Sequence, residues 1–195
     1  PVSGWVADRF GARRVFVGAI AVFLVGSLVC AAADGLGLLV AGRFVQGMGG
    51  AMMVPVGRLD LLRSVEKSEL VRALSWLTLP AMLGPMLGPV LGGAITTYAH
   101  WRLIFLINLP MGLLGMWLAW RHVPELRQPV GPLDVRGFLL SAGGLALAMF
   151  GLSAIGRGLV PAGAVALCLL AGAGLIAAYV RRARRQAHPL LQLEL

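Results

Sequence analysis

Six long apolar runs alternate with short polar gaps along this chain: Val15–Ala33, Leu36–Val56, Leu74–Thr97, Leu103–Trp120, Val135–Ile155 and Leu159–Val180. Each is near the roughly 20 residues that a helix needs to cross a hydrocarbon core. Polar and apolar residues do not alternate within them, and each run is about twice the length of a barrel strand, which excludes a transmembrane barrel. The pattern predicts an all-α, polytopic membrane protein with six complete transmembrane helices. The longest gaps, Arg58 to Arg72 and Arg121 to Asp134, are too short for a soluble domain. The predicted organisation is therefore the end of a preceding helix and a tight loop over 1–14, four spans over 15–120, a linker over 121–134, two further spans over 135–180, and a basic tail or linker over 181–195.

Composition agrees with this pattern. With 58% apolar and 13% charged residues and a mean hydropathy of +0.85, the chain has too little polar surface for a soluble globule. The net charge of +9 raises the question of a nucleic-acid partner, and the placement of the charge answers it. Arg9, Arg13 and Arg14, then Arg58, Arg63, Lys67 and Arg72, then Arg121, Arg127 and Arg136, then Arg181, Arg182, Arg184 and Arg185 fill alternate gaps. The intervening gaps hold only Arg102 or Arg157. By the positive-inside rule the rich gaps face the cytoplasm. The partner implied is a lipid bilayer, with no nucleic acid. One Lys against sixteen Arg adds a bacterial flavour, so the expected location is the plasma membrane of a bacterium, its inner membrane.

Little in the chain suggests catalysis. Cys30 and Cys168 fall inside apolar runs and read as small buried hydrophobes, while His100, His122 and His188 lie in separate gaps without metal spacing. No metal, no cofactor and no catalytic residue is expected, and His, Asp and Glu are nowhere grouped as an enzyme would need. The acidic residues Asp8, Asp34, Asp60, Glu66, Glu69, Glu125, Asp134 and Glu194 all map to loops or span ends, so no buried proton acceptor is expected. Trp76, Tyr98, Trp101, Trp117, Trp120 and Tyr179 fall near predicted span ends and read as interfacial anchors.

Arg43 stands apart as the charge set well inside an apolar run. Leaving it there costs roughly 2.5 to 3.5 kcal/mol on the insertion scale. Gln46, Gly47 and Gly50 follow at offsets of three, four and seven, on the same helical face, and that face is expected to look inward onto an aqueous cavity. A snorkelling arginine is the plain alternative, but the nearer span end is about two turns away. Two further segments carry signals. Gly4 to Arg14 (GWVADRFGARR) is a very tight cytoplasmic turn in which Gly11 is free to take a positive φ and Asp8 lies among arginines. Gly84, Gly88 and Gly92 recur every four residues, giving a groove for close helix approach, and Pro85 and Pro89 each remove a backbone donor from the same helix.

Taken together these segments resemble the major facilitator superfamily. Gly4 to Arg14 resembles its signature between the second and third helices, GxLaDrxGrk, with Ala12 in place of the first basic residue after Gly11. Arg43-Phe44-Val45-Gln46-Gly47 resembles the fourth-helix RxxQG motif. Gly84-Pro85 through Gly88-Pro89 to Gly92-Gly93 resembles the fifth-helix GxxxGPxxGG of antiporters. Trp101-Arg102-Leu103-Ile104-Phe105-Leu106-Ile107-Asn108-Leu109-Pro110 is similar to the WRWIFLINLP run of fourteen-span drug:proton antiporters of the EmrB/QacA type. The two spans opened by Pro132-Leu133-Asp134-Val135-Arg136-Gly137 stand where that branch has two extra central helices. The chain opens Pro1-Val2-Ser3 with no initiating Met, and it ends near His188-Pro189-Leu190-Leu191. The resemblance thus makes it a fragment from the end of helix two to just past helix eight, a partial fold whose first four spans belong to the N-terminal bundle.

The resemblance implies a secondary transporter in which two six-helix bundles rock about a central cavity. It implies protons as coupling ion, a hydrophobic or cationic small molecule as substrate, and the remaining helices of the full-length chain as partners. Arg43, with Gln46 and Gly47, would serve proton coupling. Asp8 with Arg9 and Arg13 would latch the cytoplasmic side, and the Gly84 to Gly93 helix would pack on the other bundle and limit leak. Export of a metabolite such as an amino acid or natural product is the other transport reading. A non-transporting scaffold or truncated gene product is the reading outside transport, which proton-gradient-dependent flux would separate.

Overall fold

The computed structural model describes residues 2–66, 68–125, 127–158 and 160–184. Among the sequence expectations, Pro1, Lys67, Leu159 at the start of the sixth predicted span, Arg185, and the His188 to Leu191 stretch with Glu194 lie outside the described residues. The described residues form eight helices and no strand: α1 Ser3–Phe10, α2 Ala12–Ala31, α3 Leu36–Ser64, α4 Leu70–Tyr98, α5 Leu103–Leu106, α6 Asn108–His122, α7 Val135–Ala154 and α8 Ala162–Ala183. With α5 and α6 taken together, six stretches are long and apolar enough to cross a membrane. The all-α polytopic reading therefore holds. Large apolar side chains such as Met86, Val90 and Leu167 are exposed all along these helices, which suits a lipid solvent and not water.

The boundaries differ from the apolar runs in informative ways. The run that ends at Val56 is followed by two further turns of α3, to Ser64, so most of the expected loop from Arg58 is helical. Hydropathy marks the bilayer, whereas the helix continues because packing continues. Val56 is fully buried with Ala7 and Ala12, and Val15, Phe16 and Leu59 pack against them. At the next gap α4 begins at Leu70, four residues ahead of its apolar run. The expected single span over Leu103–Trp120 is divided at Ile107. Pro110 lacks the N–H that would bond the Leu106 carbonyl, which weakens the ladder at that point.

Two compact units result, Ser3–Val130 and the segment from Gly131. In the first, α2 lies against α3 and α6. Glycines set the α2/α3 distance: a Cβ at Gly49 would stand 2.5 Å from the Phe23 amide nitrogen, and one at Gly42 2.7 Å from Cys30 Sγ. Such contacts leave no room for a methyl group, so the two backbones touch. In the second unit α7 and α8 meet likewise, where a Cβ at Gly172 would lie 2.9 Å from both Ala148 N and Gly144 O. Asp134 caps α7 by accepting from the Gly137 amide at 3.0 Å and from Arg182 at 3.3 Å. Tyr179, expected as an interfacial anchor, is instead buried in this unit.

Candidate functional site

The close α2/α3 seam brings polar side chains together inside the first unit. Ser27 on α2 is fully buried and Gln46 on α3 nearly so. Gln46 Nε2 donates to Ser27 Oγ at 2.6 Å, and Asn108 Nδ2, at the first turn of α6, donates to the same oxygen at 3.3 Å. On the other side of the amide, Arg43 Nη1 donates to Gln46 Oε1. A chain of hydrogen bonds thus runs from a guanidinium through an amide and a hydroxyl to a second amide, across three helices. Arg43 sits seven residues into α3, about 10 Å along its axis, which is deep for a charge in a span.

The common face expected for Arg43, Gln46, Gly47 and Gly50 divides in the structure. Gln46 is buried toward α2, Arg43 and Gly47 are exposed, and Gly50 lies within ordinary contact of the Phe23 ring. At 100° per residue an offset of three falls about 60° behind Arg43 and an offset of four about 40° ahead. Gln46 can therefore be buried against the neighbouring helix while Arg43 and Gly47 stay uncovered. Two members of the cluster escaped sequence reading. Ser27 is one serine in an apolar run, and Asn108 is one position of the Trp101 to Pro110 run; only the crossing of α2, α3 and α6 unites them.

The Gly4 to Arg14 turn is built differently from the expected latch. Asp8 pairs with neither Arg9 nor Arg13 but with Arg63 at the end of α3, using both carboxylate oxygens, one of them 3.3 Å from Nη2. Arg9 instead lies over the Trp5 ring at 5.5 Å. Arg13 and Arg14 both reach Glu125, from the linker after α6, with Nε to Oε2 distances of 3.4 and 3.5 Å, and Arg13 also lies 5.3 Å above the Trp120 ring. The Gln128 amide donates to the Asp8 carbonyl at 3.2 Å, so the linker crosses back over the turn. Gly11 takes a φ of +100°, as the sequence suggested, and a Cβ there would also overlap the Glu125 carboxylate. Gly4 has open space around it. Asp60, counted as a loop acid from sequence, is buried on α3 one turn before Arg63, and its Oδ1 has no hydrogen-bond partner among the described residues.

The remaining motifs take separate places. Arg102 donates through Nη2 to the Ala33 carbonyl and to Asp34 Oδ1, both at 2.8 Å, and lies 4.8 Å from the Trp101 ring centre, tying the C-terminal end of α2 to the turn before α5. Pro80, Pro85 and Pro89 all lie inside α4, which nevertheless continues as one helix from Leu70 to Tyr98. No α4 residue is buried, and Gly84, Gly88, Gly92 and Gly93 meet nothing within 4 Å of a Cβ position. Among the described residues of the first unit their groove has no partner.

A family model described as Major Facilitator Superfamily matches residues 1–186. The chain belongs to the Major Facilitator Superfamily. This superfamily member is similar over its whole length to proteins named MdtD, for multidrug resistance. That of Serratia proteamaculans is 42% identical over 198 residues, covering 100% of this chain and 41% of the relative. That of Pectobacterium carotovorum subsp. carotovorum is 41% identical over 200 residues, covering 100% and 42%, and that of Cronobacter sakazakii is 44% identical over 200 residues, covering 100% and 41%. The chain spans about two fifths of the length of the curated relatives it matches. Its multi-pass helices and bacterial relatives place it in the bacterial inner membrane.

Proposed function

We propose that the whole protein to which this chain belongs is a proton-coupled exporter of hydrophobic, often cationic small molecules, working by alternating access. The observation that carries the proposal is the exposed Arg43 guanidinium, held about 10 Å inside a span by a buried amide and hydroxyl. A donor-only cation at such depth demands water, a carboxylate or a substrate beside it, and a carrier's central cavity supplies all three in turn. In that cavity Arg43 biases the protonation of a carboxylate brought near it, since an adjacent positive charge favours the ionised form. The names of the bacterial relatives support drug-like cargo. The Asp8–Arg63 pair, which ties α1 to α3, and the Glu125 contacts with Arg13 and Arg14, which tie the linker after α6 to α2, together serve as the gate on the cytoplasmic side. The bare Gly84 to Gly93 face of α4 is the surface for the remaining helices of the full-length chain.

The test is flux. The full-length protein in proteoliposomes is expected to move ethidium against its gradient when a pH difference is imposed, and Arg43→Ala is expected to insert normally yet lose that dependence. Ethidium movement that ignores the pH difference, or that survives Arg43→Ala unchanged, overturns the proposal.

A further inference from the structure

We infer that Asn108 is a positioning residue: through Ser27 and Gln46 it sets where the Arg43 guanidinium stands, and this inference rests on the transport reading of Arg43 given above. The logic is one of donors and acceptors. A guanidinium has five N–H donors and no acceptor, so it can engage the Gln46 amide only at Oε1. That fixes the amide's orientation and points Nε2 at Ser27, whose hydroxyl oxygen must accept. A hydroxyl offers two lone pairs, and Asn108 Nδ2 takes the second at 3.3 Å. Two donors from two helices therefore share one acceptor on a third.

The site gives these bonds leverage. Ser27 is fully buried and Gln46 is 3% exposed, so no solvent stands ready to replace a lost partner, and a low-dielectric network of this kind holds its members in register. The α2/α3 backbone contact at Gly42 and Gly49 leaves Gln46 little room to turn elsewhere. Asn108 itself opens α6 just after the interruption at Ile107, and Arg102 fixes the turn before α5 to the C-terminal end of α2. A change in the angle between α5 and α6 moves Asn108, and the only polar path from there among the described residues leads to Arg43. The Trp101 to Pro110 run and Arg43 are in this way one device.

The experiment reads the charge at Arg43 directly. In the full-length protein, with Cys30→Ala, Cys168→Ala and every other native cysteine likewise replaced, Gly47→Cys places a thiol one turn from Arg43 at a position with open space. The ratio of its reaction rates with a negatively and a positively charged methanethiosulfonate reports the local potential, and Arg43→Gln gives the value without the cation. Asn108→Leu and the milder Ser27→Ala are each expected to shift the ratio toward that value by roughly threefold, and the double variant to shift it no further than either alone. Ethidium flux is followed in parallel vesicles that hold the same variants with Gly47 intact, where both are expected to displace the pH profile of transport. A ratio unchanged in both single variants, or additive shifts in the double, overturns the positioning role. Shifts that are non-additive in a protein that moves no ethidium uphold the positioning role and reject the transport reading.

Discussion

Replacing Gly11 with Ala perturbs two things at once, and the structure separates them. The backbone at Gly11 holds φ +100° and ψ 130°, outside the regions an L-residue occupies comfortably, which costs on the order of 1–3 kcal/mol. The added methyl group would also overlap the Glu125 carboxylate. Glu125 must then leave Arg13 and Arg14, and partly exposed ion pairs of this kind contribute roughly 0–1 kcal/mol each. Gly11→Ala is therefore expected to destabilise by about 1–5 kcal/mol, a fall in melting temperature of roughly 2–10 °C at about 2 °C per kcal/mol. The assay is thermal melting of the detergent-solubilised full-length protein, with Glu125→Ala and the double variant alongside. Because Glu125→Ala removes the overlap but not the backbone cost, the double variant is expected to melt above the value obtained by adding the two single losses, by a margin equivalent to about 1 kcal/mol. Gly11→Ala that melts within 1 °C of wild type, on the order of 0.5 kcal/mol, refutes the backbone argument, and strict additivity refutes the steric one.

Three other outcomes follow from the same geometry. Asp8→Asn and Arg63→Gln are expected to show a coupling of roughly 1 kcal/mol in a double-mutant melting cycle, whereas Asp8→Asn with Arg9→Gln is expected to show none. Gly49→Leu is expected to push α2 off α3, since even a Cβ would stand 2.5 Å from the Phe23 nitrogen; overpacking of this kind costs typically about 1–3 kcal/mol, read as loss of monodisperse protein on size-exclusion chromatography. The Asp134 carboxyl is held below its ordinary value of 3.8, first by the Gly137 amide and then by Arg182 against the opposing effect of burial. A depressed folded value means its stabilisation is present above the ordinary value and lost as pH falls through the folded one, so the melting difference between wild type and Asp134→Ala is expected to be constant near neutrality and to shrink below pH 3.8.

The parts legible in the sequence were those written locally. Runs of apolar residues set the number of spans, one arginine in oil marked α3, and the need for a positive φ marked Gly11. Contacts between distant segments were not legible. Asp8 and Arg63 are 55 residues apart, and nothing in GWVADRFGARR indicates that its carboxylate should prefer the end of α3 to the arginines beside it. Glu125 was one acid in a mixed linker until the chain folded back over the turn. Hydropathy also hid Asp60: the apolar window stops at Val56, so a residue on the buried face of the same helix was counted as loop. Gln46 shows the same limit on a smaller scale, because the offset of three that suggested a shared face with Arg43 is 60° wide, enough for one side chain to be buried and the other exposed.

The central claim is that Arg43 stands beside a water-filled chamber that opens alternately to each side. Arg43→Cys in the cysteine-free full-length protein, treated with a membrane-impermeant thiol reagent from one face and then from the other, tests it most directly. The account predicts that the thiol reacts from both faces, with the favoured face exchanged when the pH difference is reversed. A thiol that stays unreactive to water-borne reagent under every condition, while a lipid-soluble maleimide labels it readily, contradicts the account.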